Sequence, residues 1–347
     1  MRVDLFDYEL PAGRIAQEAR PRGASRLLLL DRATGALAHR TFSDLPGLLA
    51  EGDLLVRNDV RVRHARLYGR DPEGRLVEIF LLRPMEGDPR RWLALARPGR
   101  RAKRGRAVRF DKGLTAVVEE ILPDGKREVR FDGDVDDALL ERIGSVPLPP
   151  YIRREPGAPD RPEDREAYQT VFAREPLAVA APTAGLHFTE EILERIGARG
   201  CQIADLTLAV GAGSFKPVTA GDTGGHLLDP ERVLLPKRTR ALIAETKAAG
   251  RRVVAVGTTV TRALEAASRI EEAPADGDLR FSTGLFITPG FEFRVVDALL
   301  TNFHLPCSTL LMLVCAFGGR ENVLAAYAEA VRDGYLFYSY GDAMLIG

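Results

Sequence analysis

The chain has 347 residues, of which 45% are hydrophobic and 28% charged, and its 49 basic and 49 acidic residues leave no formal net charge. These values exclude a disordered chain and a strongly basic or acidic one, and a chain of this length is expected to form two domains. The longest apolar run, 310–317, is far shorter than the ~20 residues that span a bilayer, and the acidic N-terminus has no signal-peptide pattern, so we expect a cytoplasmic protein without a membrane partner.

The first part of the chain is predicted to form short strands joined by turns. Strands are indicated at 26–31 and 54–57, with a tight turn at 33–36 between them. From 65 to 131, short apolar runs alternate with Gly, Pro and Asp turns, which predicts a small β-barrel. The prolines of 147–151 fix the backbone and forbid a helix, so we expect the barrel to end there.

After this proline-rich segment the pattern changes to alternating helices and strands. Thr189 is predicted to cap one helix and Pro236 to begin another. Alternation of this kind favours a largely parallel sheet. We therefore predict an α/β main domain with a mixed, largely parallel sheet (1–62 and 151–347), interrupted by an inserted small β-barrel domain (63–150). The other elements predicted for the α/β main domain are strands at 203–210, 252–256 and 293–300 and helices at 259–270, 309–317 and 321–332.

The basic residues are unevenly distributed along the chain. Between residues 57 and 109 there are 16 Lys or Arg against 6 Asp or Glu, and the loop 97–106 contains no acid. Such a region suits contact with nucleic-acid phosphates, although a solvated arginine loop has the same composition. The residues predicted to contact RNA are Arg61, Arg100, Arg101, Lys103 and Arg104.

One candidate for chemistry is the segment just before the helix that Thr189 caps. It contains small residues, the hydroxyl of Thr183, the backbone of Gly185 and the imidazole of His187. A helix N-terminus favours anionic or carboxylate groups, so this segment suits ligand binding. A turn with a capped or buried histidine fits the same pattern.

A second candidate is the predicted strand-to-helix turn at 256–262. Backbone N–H groups, the hydroxyls of Thr258 and Thr259 and the guanidinium of Arg262 are placed to converge on a carboxylate. Ordinary helix capping by Thr259 is the alternative explanation.

A third candidate is a group of polar residues at the end of a predicted strand and in the turn after it. They are Asp297, Thr301, Asn302 and His304, set among apolar neighbours. Open α/β sheets bind ligands at this kind of edge, so we expect the four residues to face a ligand.

Several other sites are not indicated. The sequence has no P-loop, no His-Glu-x-x-His pair and no complete dinucleotide-binding glycine pattern. The five histidines have no short-range metal-ligand spacing, and the three cysteines form no Cys-x-x-Cys pair. We therefore expect no metal ion and no prosthetic group.

Taken together, the motifs resemble one family over nearly the whole chain, the S-adenosylmethionine:tRNA ribosyltransferase-isomerases of queuosine synthesis. The most specific segments are APTAGLHFT at 181–189, VGAG at 210–213, DALLTNFHLP at 297–306 and YSYGDAM at 338–344. Less specific segments in the family's order lie at 6–11, 25–28, 52–56, 147–152 and 168–172.

The resemblance implies an α/β domain interrupted by a β-barrel, and a transferase that uses S-adenosylmethionine as co-substrate. The implied reaction moves and isomerises its ribosyl group onto 7-aminomethyl-7-deazaguanine at the wobble position of tRNA with a GUN anticodon. Epoxyqueuosine, adenine and methionine are the implied products, and family members are often monomers.

This chemistry needs proton transfer beside the sulfonium and at the departing adenine. We expect His187 or His304 to transfer protons and Asp297 to orient a base or offset the sulfonium charge. The remaining binding residues are assigned to two groups: Thr258, Thr259 and Arg262 to the methionine carboxylate, and Thr183, Thr301 and Asn302, with Gly185 in the same segment, to ribose or base edges.

The sequence departs from the family pattern at two histidine positions. Ala209 stands where the family commonly has one histidine, and Asp229 replaces the second histidine of a pair that begins at His226. This departure leaves open a divergent paralogue that uses S-adenosylmethionine with a different nucleophile. The basic region 57–109 leaves open a second alternative, a non-catalytic tRNA-binding protein.

Overall fold

The structure, a computed structural model, describes residues 1–211, 221–226, 228–272, 274 and 276–347. The chain forms two compact units. The larger contains Met1–Val60, Gln169–Glu175 and Ala181–Gly347, and the smaller contains Arg61–Tyr168 and Pro176–Ala180. The predicted domain boundaries, 1–62 with 151–347 and 63–150, stay a prediction.

The larger unit is built on a nine-stranded mixed sheet with the strand order β15-β13-β12-β3-β14-β16-β17-β1-β2. Strands β12, β3, β14 and β16 run parallel, and the pairs at both ends of the sheet include antiparallel ones. The strands are β1 (Arg26–Leu30), β2 (Leu37–Thr41), β3 (Leu54–Asn58), β12 (Gln202–Leu208), β13 (Glu231–Leu235), β14 (Val253–Val256), β15 (Leu279–Thr283), β16 (Ala298–Asn302) and β17 (Ala343–Ile346).

Six α-helices belong to the larger unit, and their ends follow the expected capping chemistry. Thr189 accepts a hydrogen bond from the Ile192 N–H and begins one helix, as predicted. Ser308 caps another through the Leu311 N–H. The helices are α1 (Leu45–Leu48), α4 (Glu190–Ala198), α5 (Lys237–Ala248), α6 (Thr258–Ala267), α7 (Thr309–Gly318) and α8 (Arg320–Arg332).

The core of the larger unit follows from the register of its parallel strands. Ile203, Leu55, Val254 and Ala298 lie side by side across four strands, so their side chains share one face of the sheet. Helices α1 and α4 cover this face, and their apolar side chains complete a single buried cluster. Burial of this cluster removes apolar surface from water, which is the main force that holds the layers together.

The smaller unit is a closed antiparallel barrel of six strands in the order β10-β7-β6-β5-β8-β9. Inward side chains such as Leu67, Ile79 and Val129 are fully buried and alternate with more exposed ones. The predicted fold class, an α/β unit interrupted by a small β-barrel, is confirmed. The barrel strands are β5 (Arg66–Arg70), β6 (Leu76–Met85), β7 (Asp88–Arg97), β8 (Ala107–Arg109), β9 (Thr115–Ile121) and β10 (Arg127–Phe131); the chain also forms β4 (Val60–Val62), β11 (Glu175–Ala178), α2 (Asp137–Ile143) and α3 (Pro162–Ala167).

One predicted strand was too long at its beginning. The strand expected at 293–300 is only Ala298–Asn302, because the residues before it bond to a side chain instead of a neighbouring strand. The N–H groups of Arg294, Val295 and Val296 all donate to the buried carboxylate of Glu265. The carboxylate satisfies backbone donors that a strand ladder would otherwise need to satisfy.

Candidate functional site

Three predicted segments meet at the carboxyl edge of the parallel strands. The 3-10 turn Thr183–His187 reaches the end of β16 through a hydrogen bond between His187 and Asn302. Gly257 follows β14 with a φ of 95°, and a Cβ on it would lie 3.5 Å from the Cβ of Ala184. Such an edge is where open α/β sheets bind ligands, so these segments form the candidate site.

His187 is buried, with 4% of its surface exposed, and both ring nitrogens have partners. Its Nδ1 lies 3.0 Å from Ser25 Oγ and its Nε2 lies 3.2 Å from Asn302 Nδ2. The same Asn302 Nδ2 donates to the carbonyl of Tyr338 at 2.9 Å, which fixes the orientation of the amide. Nε2 is therefore the acceptor, and the ring proton on Nδ1 is donated to Ser25.

Burial is the main reason that His187 stays neutral. Burial, with a smaller contribution from the nearby positive charge of Arg22, lowers the pKa of the ring to about 4. Arg22 also holds the 3-10 turn in place, because its guanidinium donates to the carbonyls of Leu186 and Gln169. The site therefore holds an uncharged imidazole in one tautomer.

The side-chain oxygen of Asn302 has no donor among the described residues. Its Oδ1 is buried and receives no hydrogen bond from any part of the chain that the structure describes. A buried amide oxygen without a donor destabilises the fold by about 1–3 kcal/mol. This oxygen is suited to accept a hydrogen bond from a bound amine or hydroxyl.

His304 lies on the other side of the same strand end. Its Nε2 is 2.9 Å from Thr301 Oγ1, and its backbone N–H donates to the hydroxyl of Tyr327. Because Thr301 and Asn302 are successive strand residues, their side chains point to opposite faces of the sheet. Burial lowers the pKa of His304 to about 3. The two histidines therefore face opposite sides of the sheet and do not share one pocket.

Asp297 is not close to either histidine. It precedes β16 while Asn302 ends it, so the extended strand separates them by about 16 Å at ~3.3 Å per residue. Its carboxylate pairs with Lys247 at 2.7 Å and accepts the N–H of Val253. The expectation that Asp297 orients a catalytic base is therefore corrected. Its side chain instead links the beginning of β16 to β14 and α5, at the opposite edge of the sheet.

Arg262 also has a different partner from the one expected. Its guanidinium forms a buried ion pair with Glu231, with side-chain exposures of 5% and 6%. The second oxygen of Glu231 accepts the N–H of Gly211 at 2.9 Å. Burial lowers the pKa of Arg262 to about 10. Arg262 therefore already has a carboxylate partner within the protein, and its assignment to a substrate carboxylate stays a prediction.

The residues assigned beside Arg262 and His187 lie at the expected edge. Thr258 is buried and Thr259 half-buried in the first turn of α6, and Thr183 is half-buried. Gly185 has a packing role, since a Cβ there would lie 2.8 Å from the ring of Phe172 and 2.9 Å from Thr170 Cγ2. Whether these residues contact a ligand stays a prediction.

The predicted RNA-contacting residues lie in the smaller unit and differ in their surroundings. Arg61 is paired with Glu141, and Arg101 donates to the carbonyl of Leu76. A cavity of about 420 Å³ at this loop is lined by Glu73, Arg75, Arg100, Arg101, Lys103 and Arg106. Arg100, Lys103 and Arg104 are exposed and form no ion pair with the described residues, so their charges are available to a phosphate.

Two important residues of the site were not predicted as site residues. Ser25 and Tyr338 fix the tautomer and the amide orientation, but they lie 162 and 36 residues from their partners His187 and Asn302. Both residues lie in segments that resemble the family, 25–28 and 338–344. This resemblance is the sequence feature that could have identified them as site residues.

The two positions without the family's histidines lie outside this network. The backbone N–H of Ala209 donates to the carbonyl of Arg232, and Asp229 is exposed. His226 packs its ring against Phe286 at 5.5 Å. Residues 212 and 213 of the VGAG motif lie outside the described residues.

Among the described residues, His39, Glu329 and Asp333 place potential metal-ligating atoms within 4.8 Å of one another. These groups are exposed or half-exposed, and His39 Nδ1 bonds to the hydroxyl of Tyr335. The expectation of no metal ion stays a prediction.

In the same described residues, no single helix is long and apolar enough to cross a membrane. Helices α7 and α8 would meet the length and composition criteria only as a pair, and they are bent by 114° at the break between them.

The fold and the site define an enzyme with a buried neutral imidazole at the carboxyl edge of an α/β sheet and a β-barrel inserted in the chain. Residues 3–346 match the family described as "Queuosine biosynthesis protein". The chain therefore belongs to this family, and both the predicted membership and the predicted enzyme class are confirmed.

Full-length relatives and a crystal structure agree with this result. The chain is 51% identical to the S-adenosylmethionine:tRNA ribosyltransferase-isomerase of Anaeromyxobacter dehalogenans strain 2CP-C, across 100% of this chain and 99% of the relative. It is 49% identical to the protein of that name from Moorella thermoacetica, across 100% of both chains. A crystal structure of S-adenosylmethionine tRNA ribosyltransferase from Thermotoga maritima is similar with a TM-score of 0.56 and 38% identity, over 99% of this chain and 100% of that one.

Proposed function

We propose that this enzyme transfers the ribosyl group of S-adenosylmethionine to tRNA and isomerises it. The acceptor is the aminomethyl nitrogen of 7-aminomethyl-7-deazaguanine at the wobble position of tRNA with a GUN anticodon. The products are epoxyqueuosine in the tRNA, free adenine and methionine. The family match over residues 3–346, with relatives of the same length named for this activity, is the observation that supports the proposal most.

The buried imidazole fits the proton transfers that the reaction needs. His187 is unprotonated at neutral pH, so it can take a proton from the carbon beside the sulfonium through Nε2 when the Asn302 amide bonds to substrate instead. The low pKa of about 4 makes the protonated ring a ready donor. It would then return the proton to the departing adenine, which needs one to leave.

The unpaired charges of the barrel support a contact with the tRNA backbone. Arg100, Lys103 and Arg104 carry no ion pair with the described residues, and guanidinium and ammonium groups bind phosphate oxygens without reading the base sequence. In this proposal the barrel holds the tRNA and the base is recognised elsewhere. A monomer acting in the cytoplasm, where tRNA is modified, remains part of the proposal.

The direct test is to incubate the pure enzyme with S-adenosylmethionine and tRNA that carries the deazaguanine precursor, and to measure adenine and methionine by mass spectrometry. We expect both products in equal amounts, and none with unmodified tRNA. Release of S-adenosylhomocysteine would instead indicate a methyltransferase. A tRNA complex that weakens steeply with salt but releases no adenine would indicate binding without catalysis.

The absence of two family histidines supports a second candidate, a paralogue that uses another nucleophile. Ala209 and Asp229 cannot supply imidazole groups to a substrate. Adenine release with a different nucleophile, and none with the precursor tRNA, would favour this candidate.

A further inference from the structure

The larger unit contains a cavity that is not part of the candidate site described above. It has a volume of about 680 Å³ and lies between α4, α5 and the strands β3 and β12. Its charged lining consists of Arg57, Arg174 and Arg238 and of Asp59, Glu190, Glu194 and Asp205. Apolar side chains, among them Leu193 and Leu242, complete the wall.

One part of this lining is already neutralised and held in place. Arg57 pairs with Asp205 at 2.6 Å, and its guanidinium stacks on the ring of Phe172 at 4.2 Å. The same ring limits the residue at position 185 to glycine, two residues before His187. Phe172 therefore lies between Arg57 of the cavity lining and the 3-10 turn of the candidate active site.

The rest of the lining offers charges of both signs. Asp59 is 8% exposed, and its Oδ1 accepts the hydroxyl of Thr207 at 2.7 Å. Burial raises the pKa of Asp59, so the ionised carboxylate would be stabilised by a bound cation. Arg238 is exposed and forms no ion pair with the described residues, while Arg174 is 65% exposed and lies 3.9 Å from Asp205. An ammonium group and a carboxylate on one ligand would satisfy both sides.

The charge of the cavity and the ion pair of Arg262 narrow the choice of ligand. The three arginines and four carboxylates give the cavity a formal charge of −1, which suits a ligand of net charge +1. S-adenosylmethionine has one carboxylate, one ammonium and one sulfonium group. Arg262 is buried and already paired with Glu231, so the exposed Arg238 is the more accessible arginine for the carboxylate of this substrate.

We propose that this cavity binds the amino-acid end of S-adenosylmethionine, with Arg238 on its carboxylate and Asp59 facing its ammonium group. The inference rests on the proposed use of that substrate. The methylene groups would lie against Leu193 and Leu242, which directs the sulfonium and ribose toward Phe172 and the turn that contains His187.

The test compares two ligands by isothermal titration calorimetry: S-adenosylmethionine and its decarboxylated form, which lacks only the carboxylate. Arg238→Ala should weaken binding of S-adenosylmethionine about 10-fold, equal to 1.4 kcal/mol, and leave the decarboxylated ligand unchanged. Arg238→Lys should retain part of the affinity, because it keeps the charge and loses the fork of donors. Arg195→Ala is the matched control, since Arg195 is exposed on α4 and does not line the cavity.

Asp59→Asn keeps an acceptor for Thr207 and removes the charge, so it should weaken both ligands about 10-fold while circular dichroism stays unchanged. Equal effects of Arg238→Ala on the two ligands, or no effect of either variant, would overturn the inference. If the variants give such a result while the wild type binds S-adenosylmethionine and releases adenine, only the inference about this cavity fails. If the variants distinguish the two ligands as expected but no adenine forms with precursor tRNA, only the proposed reaction fails. A wild type that binds neither ligand overturns both the inference and the proposed reaction.

Discussion

The buried ion pair between Glu231 and Arg262 gives the sharpest test of how the site is built. Replacing Glu231 with Gln keeps the shape of the side chain and the acceptor for the Gly211 N–H, but leaves the guanidinium without a counter-charge. The two side chains are only 5% and 6% exposed, so water cannot replace the lost carboxylate. Breaking such a pair destabilises a protein by about 3–5 kcal/mol.

The assay is urea unfolding followed by far-UV circular dichroism, because six of the α-helices in the described residues belong to the larger unit. The fluorescence of Trp92, the single tryptophan, records the barrel separately. We expect the free energy of unfolding from the circular dichroism transition to fall by about 3–5 kcal/mol in Glu231→Gln. The double variant Glu231→Leu with Arg262→Met should recover most of this loss, since neither charge remains.

A loss below about 1 kcal/mol in Glu231→Gln would refute the argument, because it would be typical of an exposed pair. If that variant instead kept its stability and lost affinity for S-adenosylmethionine, Arg262 would belong to the ligand after all. The outcome therefore separates a structural arginine from a binding one.

Three further results are expected. His187→Ala should lower turnover by ~10²-fold or more with folding retained, measured as adenine release, and unchanged turnover would remove His187 from the mechanism. Because burial lowers the pKa of His187 from 6.5 to about 4, the unfolded chain binds the proton first as the pH falls. The stability that the neutral ring contributes is thus complete above about pH 6.5, and on the order of 3 kcal/mol of it is lost toward pH 4. Urea unfolding of the wild type and of His187→Gln at both pH values should show a smaller loss of stability in the variant. An equal loss in the two proteins would contradict the assignment. Lys103→Glu with Arg104→Glu should weaken tRNA binding and reduce its salt slope by about 2, measured by filter binding, whereas an unchanged slope would exclude both residues from the phosphate contact.

The sequence predicts local structure well where capping and periodicity decide it. Thr189 caps its helix as expected, and the change from barrel to α/β pattern is seen in the strand order. It fails where a distant side chain competes with the backbone. The alternation at 293–297 resembles a strand, but Glu265 from α6 accepts those N–H groups.

The same limit explains the errors at the site. His187 and Asn302 could be selected from polar residues near strand and helix ends, but Ser25 could not, because only the tertiary fold places it at Nδ1. Asp297 is close to Asn302 in sequence, and the extended strand carries it to the other edge. Arg262 fits a ligand-binding pattern until β13 supplies Glu231.

In the proposed reaction the ribosyl group, and not the methyl group, moves from S-adenosylmethionine to tRNA. Two preparations of the co-substrate, one with isotopic carbon in the ribosyl group and one with it in the methyl group, test this claim when the wobble nucleoside is analysed by mass spectrometry. We predict that the label enters the nucleoside from the ribosyl preparation and stays with methionine from the methyl preparation. Label in the nucleoside from the methyl preparation would contradict ribosyl transfer. A nucleoside without label from either preparation would contradict it as well.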